Sequence, residues 1–130
     1  MPENGTIVVE DGKSTPEDHT FSPVSVKGDI ASYANFDESF VDGRETLRLA
    51  QAMKARLREV ILTTIVPRVL SESINGVTVD RVADFATFKT TCLLPKTWDE
   101  ADIKDVRVMH ANALNDAIVL AAVDRGEGVW

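Results

Sequence analysis

The chain has 130 residues, of which 44% are hydrophobic and 27% charged, which suits one globular domain and excludes collagen-like, low-complexity and wholly disordered chains. Its net charge of −7 argues against a surface coated all over by nucleic acid, yet the sign is uneven: residues 44–68 hold Arg44, Arg48, Lys54, Arg56, Arg58 and Arg68 against Glu45 and Glu59 alone. That segment reads either as a patch facing a polyanion or as a solvated basic face that balances acids elsewhere in the fold.

In chain order, Thr6 to Glu10 predicts a short strand, and Asp11-Gly12-Lys13 a turn with positive φ available at the glycine. Residues 13–19 read as a polar loop that leaves His19 at the surface. Thr20 to Val26 alternates apolar and polar residues, and Pro23 marks that strand as an edge. A turn at Lys27-Gly28-Asp29 leads to an extended piece over Ile30 to Tyr33, followed by an acidic loop over residues 35–43. Residues 44–60, rich in Ala, Leu, Arg, Gln and Glu, have the propensity of a helix. The β-branched run Val60 to Val66 predicts a strand that stops at Pro67. Ser71 to Ser73 reads as a loop, Asn75-Gly76 as a two-residue turn, and Phe85 to Leu94 as a strand with Ala86, Phe88 and Cys92 on one face and Thr87, Lys89 and Thr91 on the other.

The C-terminal quarter predicts helix. Thr97 with Glu100 fits a capping box, and Asp99, Glu100 and Asp102 complement the helix dipole. Ile103, Val106, Met109 or His110, Ala113 and Ala117 recur at helical spacing as one apolar stripe. Asn115-Asp116 can end one helix and cap another, and Gly126 and Gly128 stop the run. Strands first and helices last is an α+β order. Sheet and hairpin occupy about 6–95 and helices about 98–125 of one domain over residues 1–130.

The chemistry-bearing residues are sparse. One cysteine, Cys92, excludes an internal disulfide and a cysteine-based zinc site, and His19 and His110 lie far apart. The acids Asp99, Glu100, Asp102 and Asp105 offer hard-cation chemistry, but helix capping accounts for them more cheaply. No phosphate-binding loop, dinucleotide fingerprint or nucleophile motif occurs. The expectation is a non-enzyme without cofactor or metal. No apolar run is long enough to span a bilayer, and Met1-Pro2-Glu3-Asn4-Gly5 predicts no secretory signal.

Four landmarks, in order, then carry a resemblance: Gly28-Asp29-Ile30-Ala31-Ser32-Tyr33; Val66-Pro67-Arg68-Val69 closing a long strand; the glycine turn Asn75-Gly76-Val77; and the strand Phe85 to Pro95 with an acidic helix start and a terminal Gly128-Val129-Trp130. Over about the whole chain this resembles the coat proteins of the small single-stranded RNA bacteriophages, the leviviruses. The resemblance implies an N-terminal β-hairpin, a five-stranded antiparallel sheet and two C-terminal helices that interlock with a second subunit. It makes residues 44–66 two antiparallel strands joined near Ala52 to Ala55, with Leu47 and Leu49 on the helix side and Thr46, Arg48 and Ala50 on the RNA side. The stripe of Ile103, Val106, Met109, His110, Ala113 and Ala117 becomes a dimer interface. Ser71, Glu72, Ser73, Ile74, Asn75, Gly76, Val77 and Thr78 form a capsid loop around the symmetry axes that switches shape between quasi-equivalent positions. Its lack of cysteine excludes disulfide links between capsomers there.

Such dimers build an icosahedral shell in the bacterial host cytoplasm, enclose single-stranded genomic RNA and accompany a phage maturation protein. Some members also repress replicase translation through an RNA hairpin. Arg48, Thr63, Thr87, Lys89 and Thr91 are the RNA-facing candidates. Thr87 stands where some relatives have a base-stacking tyrosine, Lys89 where they have an asparagine, and Thr63 where they have a lysine. Sequence-independent packaging through Arg48 and Lys89 therefore follows more directly than operator recognition. The competing reading is a dimeric α+β RNA-binding or interaction domain that never closes a shell.

Overall fold

The computed structural model describes residues 4–128, so Val129 and Trp130 of the terminal motif lie outside the described residues. The chain divides into a strand-built unit, Met1–Leu93, and a helical unit, Leu94–Trp130.

The first unit is a meander: β1 (Ile7–Glu10), β2 (Asp18–Lys27), β3 (Ile30–Ala34), β4 (Thr46–Met53), β5 (Leu57–Ile74) and β6 (Val77–Pro95), each beside its sequence neighbours in one six-stranded sheet. The hairpin and the five-stranded sheet expected from the resemblance are both present, and β2 belongs to both, which makes six strands rather than seven. β2 pairs with β1 over Asp18–Phe21 and with β3 over Ser22–Lys27, so Pro23 lies where the strand has a ladder partner on one side only, as an edge proline does, and it sits where the ladder to β3 slips between Pro23 and Ser25. Gly12 does not take positive φ. The β1–β2 connection is instead held by the Asp11 carboxylate, which accepts the backbone N–H groups of Lys13 and Glu17, both at 3.1 Å.

The helix that propensity predicts over 44–60 is overruled. Thr46 to Met53 pairs with Ile65 to Arg58 residue by residue, and the connection falls at residues 54–56. Alternation explains the outcome: Leu47 is buried against Phe21 and Tyr33 while Arg48, its neighbour, is exposed, a period of two that a helix cannot supply. Ser71 to Ser73 are not a loop either. β5 runs on to Ile74 and β6 begins at Val77, so the expected eight-residue capsid loop is two strand ends and the turn Asn75-Gly76, whose φ values of 51° and 79° suit a tight hairpin.

Buried apolar residues in this unit, among those described, are Phe21, Tyr33, Ala34 and Leu47, with Ile7 and Ala31 packed on them. Before β4, a single 3₁₀ turn at Val41–Gly43 lies so close to β5 that a Cβ on Gly43 would collide with Val69. Arg44 closes that turn, its Nε donating to the Glu38 carbonyl at 2.8 Å and its guanidinium stacked 4.7 Å from the Phe36 ring centre.

The second unit holds α1 (Glu100–Leu114) and α2 (Ala117–Arg125). Asp99, not Thr97, is the α1 N-cap, accepting the Asp102 N–H at 2.9 Å; Pro95 to Trp98 is taken up by a turn closed from Trp98 N to Pro95 O. Asn115-Asp116 separates two helices, bent 59° to each other, as the capping residues suggest: Asp116 accepts from Ile118 N at 2.9 Å. Gly126, at φ 67°, ends α2 with its N–H on the carbonyls of Ala121 and Ala122. Neither helix contains a buried residue. No single helix is long and apolar enough to cross a membrane.

Candidate nucleic-acid interface

The ladders set the geometry of the sheet. Ser32, Arg48 and Thr63 are directly opposite one another across β3, β4 and β5, so their side chains share one face. The next row on that face is Ile30, Ala50 and Ile61. Tyr33, Leu47 and Thr64 form the alternate row, on the face that carries the buried cluster. Leu47 and Leu49 thus point one way and Thr46, Arg48 and Ala50 the other.

One side-chain contact links β6 to this frame: Arg68 Nε lies 3.9 Å from Asp84 Oδ1. Within β6, Thr87, Lys89 and Thr91 alternate with Ala86, Phe88 and Cys92 and share one face of the strand. Nearer the tip, Ser71 donates to Asp80 and Arg81 Nη2 pairs with Glu72 at 2.7 Å.

The cations of residues 44–68 divide by what they touch. Arg44 is held by Glu38 and Phe36, Lys54 lies 3.1 Å from Glu59, and Arg68 is beside Asp84. Arg48, Arg56 and Arg58, in contrast, have no ion-pair partner among the described residues, and neither has Lys89. A cation without an internal partner can donate to phosphate oxygens without first breaking an ion pair.

The other face and the sheet's rim are apolar and open. Leu62, Val66 and Phe88 are exposed, as is most of β6, the outermost strand. A cleft on the Leu47 face is lined by Ile7, Val9, Phe21, Leu62 and Val66. Of the expected interface residues, Ile103 is half-buried and Val106, Met109, His110, Ala113 and Ala117 are exposed. Val108, Leu114, Ile118, Leu120 and Val123 add to the apolar surface of the helices. Within the capsid loop, Ile74 and Val77 are exposed on either side of the turn.

His19 is not the free surface residue that its polar neighbours suggest. It lies on β2, with Nδ1 2.7 Å from Glu45 Oε1 and Nε2 2.8 Å from Asp11 Oδ2. Glu45 also accepts from Asn35 Nδ2 at 2.9 Å, and Asn35 is buried. The Glu45 hydrogen bond, then the Asp11 one, raise the His19 pKa above its ordinary value. Asp11 is held far below the usual carboxylate range, first by His19 and then by the Glu17 backbone N–H. Asp11, Glu17 and His19 are close enough together to suggest metal ligands, but Lys13 Nζ already lies 2.9 Å from Glu17 and 3.5 Å from Asp11. The charge there is met from within the chain. The only sequence signal for this cluster was its composition; the partner from before β4 is 26 residues distant.

A meander of long antiparallel strands followed by two capped helices defines an α+β sheet protein, with Arg48 on one face of the sheet and the Leu47 cluster on the other. The family model described as "Levivirus coat protein" matches residues 2–130, and the chain belongs to that family. It is a capsid subunit, a structural component of the virion. Among solved structures it resembles the virus-like particle of bacteriophage ESE058, with a TM-score of 0.90 at 23% identity, covering 99% of this chain and 100% of that one. The virus-like particle of bacteriophage NT-214 follows at TM-score 0.85 and 21% identity, covering 97% and 98%. The capsid protein of bacteriophage GA gives 0.78 at 19% identity, covering 96% of each chain. No curated protein sequence matches.

Proposed function

We propose that the chain dimerises through β6 and its two helices, that the dimers close an icosahedral shell, and that the Arg48 face lines the interior and packages single-stranded genomic RNA without sequence preference. What supports the RNA reading is Arg48, a cation without an ion-pair partner among the described residues, in a row with Ser32 and Thr63, together with Lys89, likewise unpaired, which this reading puts on the same face. Dimerisation is supported by the long, exposed outer strand β6 and by helices that bury none of their apolar residues. In this reading β6 meets its counterpart across a twofold axis, each subunit's helices lie over the partner's Leu47 face, and the tips at Asn75-Gly76 gather around the symmetry axes. Assembly takes place in the host cytoplasm alongside a maturation protein. Thr87 in place of a stacking aromatic favours general packaging over a tight operator complex and translational repression.

The test has two parts. Electron microscopy of the purified protein should reveal closed megadalton particles; dimers alone under several buffer conditions would favour a non-capsid RNA-binding domain. Lys89→Ala should lower the RNA content of particles and reduce the slope of log affinity against log salt by roughly 0.7, the contribution of one single-strand phosphate contact. An unchanged slope and RNA content would remove Lys89 from the interface.

A further inference from the structure

β6 exposes two phenylalanines three residues apart, so on opposite faces: Phe85 is 66% exposed and Phe88 60%. Their surroundings differ. Phe88 shares its face with Ala86 and Cys92, an apolar setting that suits contact with another apolar surface. Phe85 shares its face with Thr87 and Lys89, the latter without an ion-pair partner among the described residues. A large apolar ring beside hydroxyls and a free ammonium group is poorly placed for a dry protein contact, since closing one would strand the Lys89 charge. The same set of groups suits a single strand: a π-face for a base and, two pleat repeats along β6, a cation for the phosphate of a neighbouring nucleotide.

We infer that Phe85 is a base-stacking residue of the RNA face, supplying from the adjacent same-face position of β6 the aromatic platform absent at Thr87. This rests on the packaging reading and deepens it. Stacking on Phe85 is tolerant of sequence because every base presents a π-face, and its contribution is insensitive to salt, unlike that of Lys89. The face would then hold RNA by two separable means.

The probe is an unstructured single-stranded RNA oligonucleotide of mixed sequence, compared with an abasic strand of equal length, titrated against the full-length protein at several salt concentrations. Phe85→Ala should weaken the base-bearing strand about tenfold, leave the abasic strand unaffected and keep the salt slope. Phe85→Trp should retain affinity and add a component of indole emission that the base-bearing strand quenches and the abasic strand does not. Equal affinity of Phe85→Ala and wild type for the base-bearing strand would overturn the assignment. So would an equal loss for both strands, or loss of assembly with RNA affinity unchanged, which would make Phe85 a contact between copies. Failure of the wild type to bind either strand would instead sink the packaging reading, and this one with it.

Discussion

His19 holds two carboxylates with one ring, and that arrangement has a sign. A neutral imidazole has one N–H and can donate to only one of Glu45 and Asp11; the imidazolium donates to both. Lys13 lies between Asp11 and Glu17, and the neutral Asn35 shares Glu45, so the three carboxylates outnumber the cations even when His19 is charged, which favours the imidazolium. Because its folded-state pKa is raised, its stabilising effect is complete below the ordinary 6.5 and is lost as pH climbs through the higher folded value. The depressed Asp11 acts in the other direction: its effect is present above the ordinary 3.8 and disappears as pH falls towards its folded value. The β1–β2 hairpin should therefore be held most firmly between these two values. The urea midpoint of the wild type should decline above pH 6.5, and His19→Gln should start lower and lose that decline. An identical decline in the variant would place the titrating group elsewhere. None of this was legible from the residues around His19, because both its strand and its Glu45 partner are set by pairings distant in sequence. Gly43 is a similar case: its need for no side chain comes from Val69 on β5, which no local pattern announces.

At the scale of elements, the strands whose two faces differ were the ones the sequence disclosed. Phe88 and Lys89 alternate on β6, whereas β4 with Leu47 and Arg48 was legible only through the resemblance; helix ends with Asp, Asn and Gly were equally legible, apart from the shift of the N-cap from Thr97 to Asp99. Residues 44–60 misled because high helix propensity is worth only a few tenths of a kcal/mol per residue, less than burying one leucine in a ladder. The tips of β5 and β6 misled for the opposite reason: Ser71, Glu72 and Ser73 are polar because both faces there are exposed, and the strands persist through the hairpin turn and the Ser71–Asp80 and Glu72–Arg81 contacts. A two-residue turn leaves that tip little freedom to switch shape. On the helices, Val106→Asp or Met109→Asp puts a charge into the proposed twofold interface, where an unpaired carboxylate costs several kcal/mol. Sedimentation should then give monomer or aggregate rather than dimer; soluble dimers like those of the wild type would contradict the interlocked helices.

For the molecule as a whole, the decisive quantity is how little the chain buries by itself. With 44% hydrophobic residues, it buries only Phe21, Tyr33, Ala34 and Leu47 among the apolar residues described. A core of that size is small against the ordering entropy of more than a hundred residues, so the proposed dimer predicts that folding and association form one equilibrium. Unfolding midpoints should accordingly rise with protein concentration, and refolding should contain a second-order phase; midpoints constant over a hundredfold dilution would identify a self-sufficient monomer.

The rim formed by β6 has a further consequence. Nineteen residues of extended backbone with one side bare form a template for any other extended chain, and a cell translating a coat gene fills with copies at once. Asp80, Arg81, Asp84 and Lys89 interrupt that template with charge, as gatekeepers do in aggregation-prone segments, so stacking copy upon copy into a fibril brings like charges together at every layer. These four charges thus oppose the fibril-like stacking of one β6 upon another.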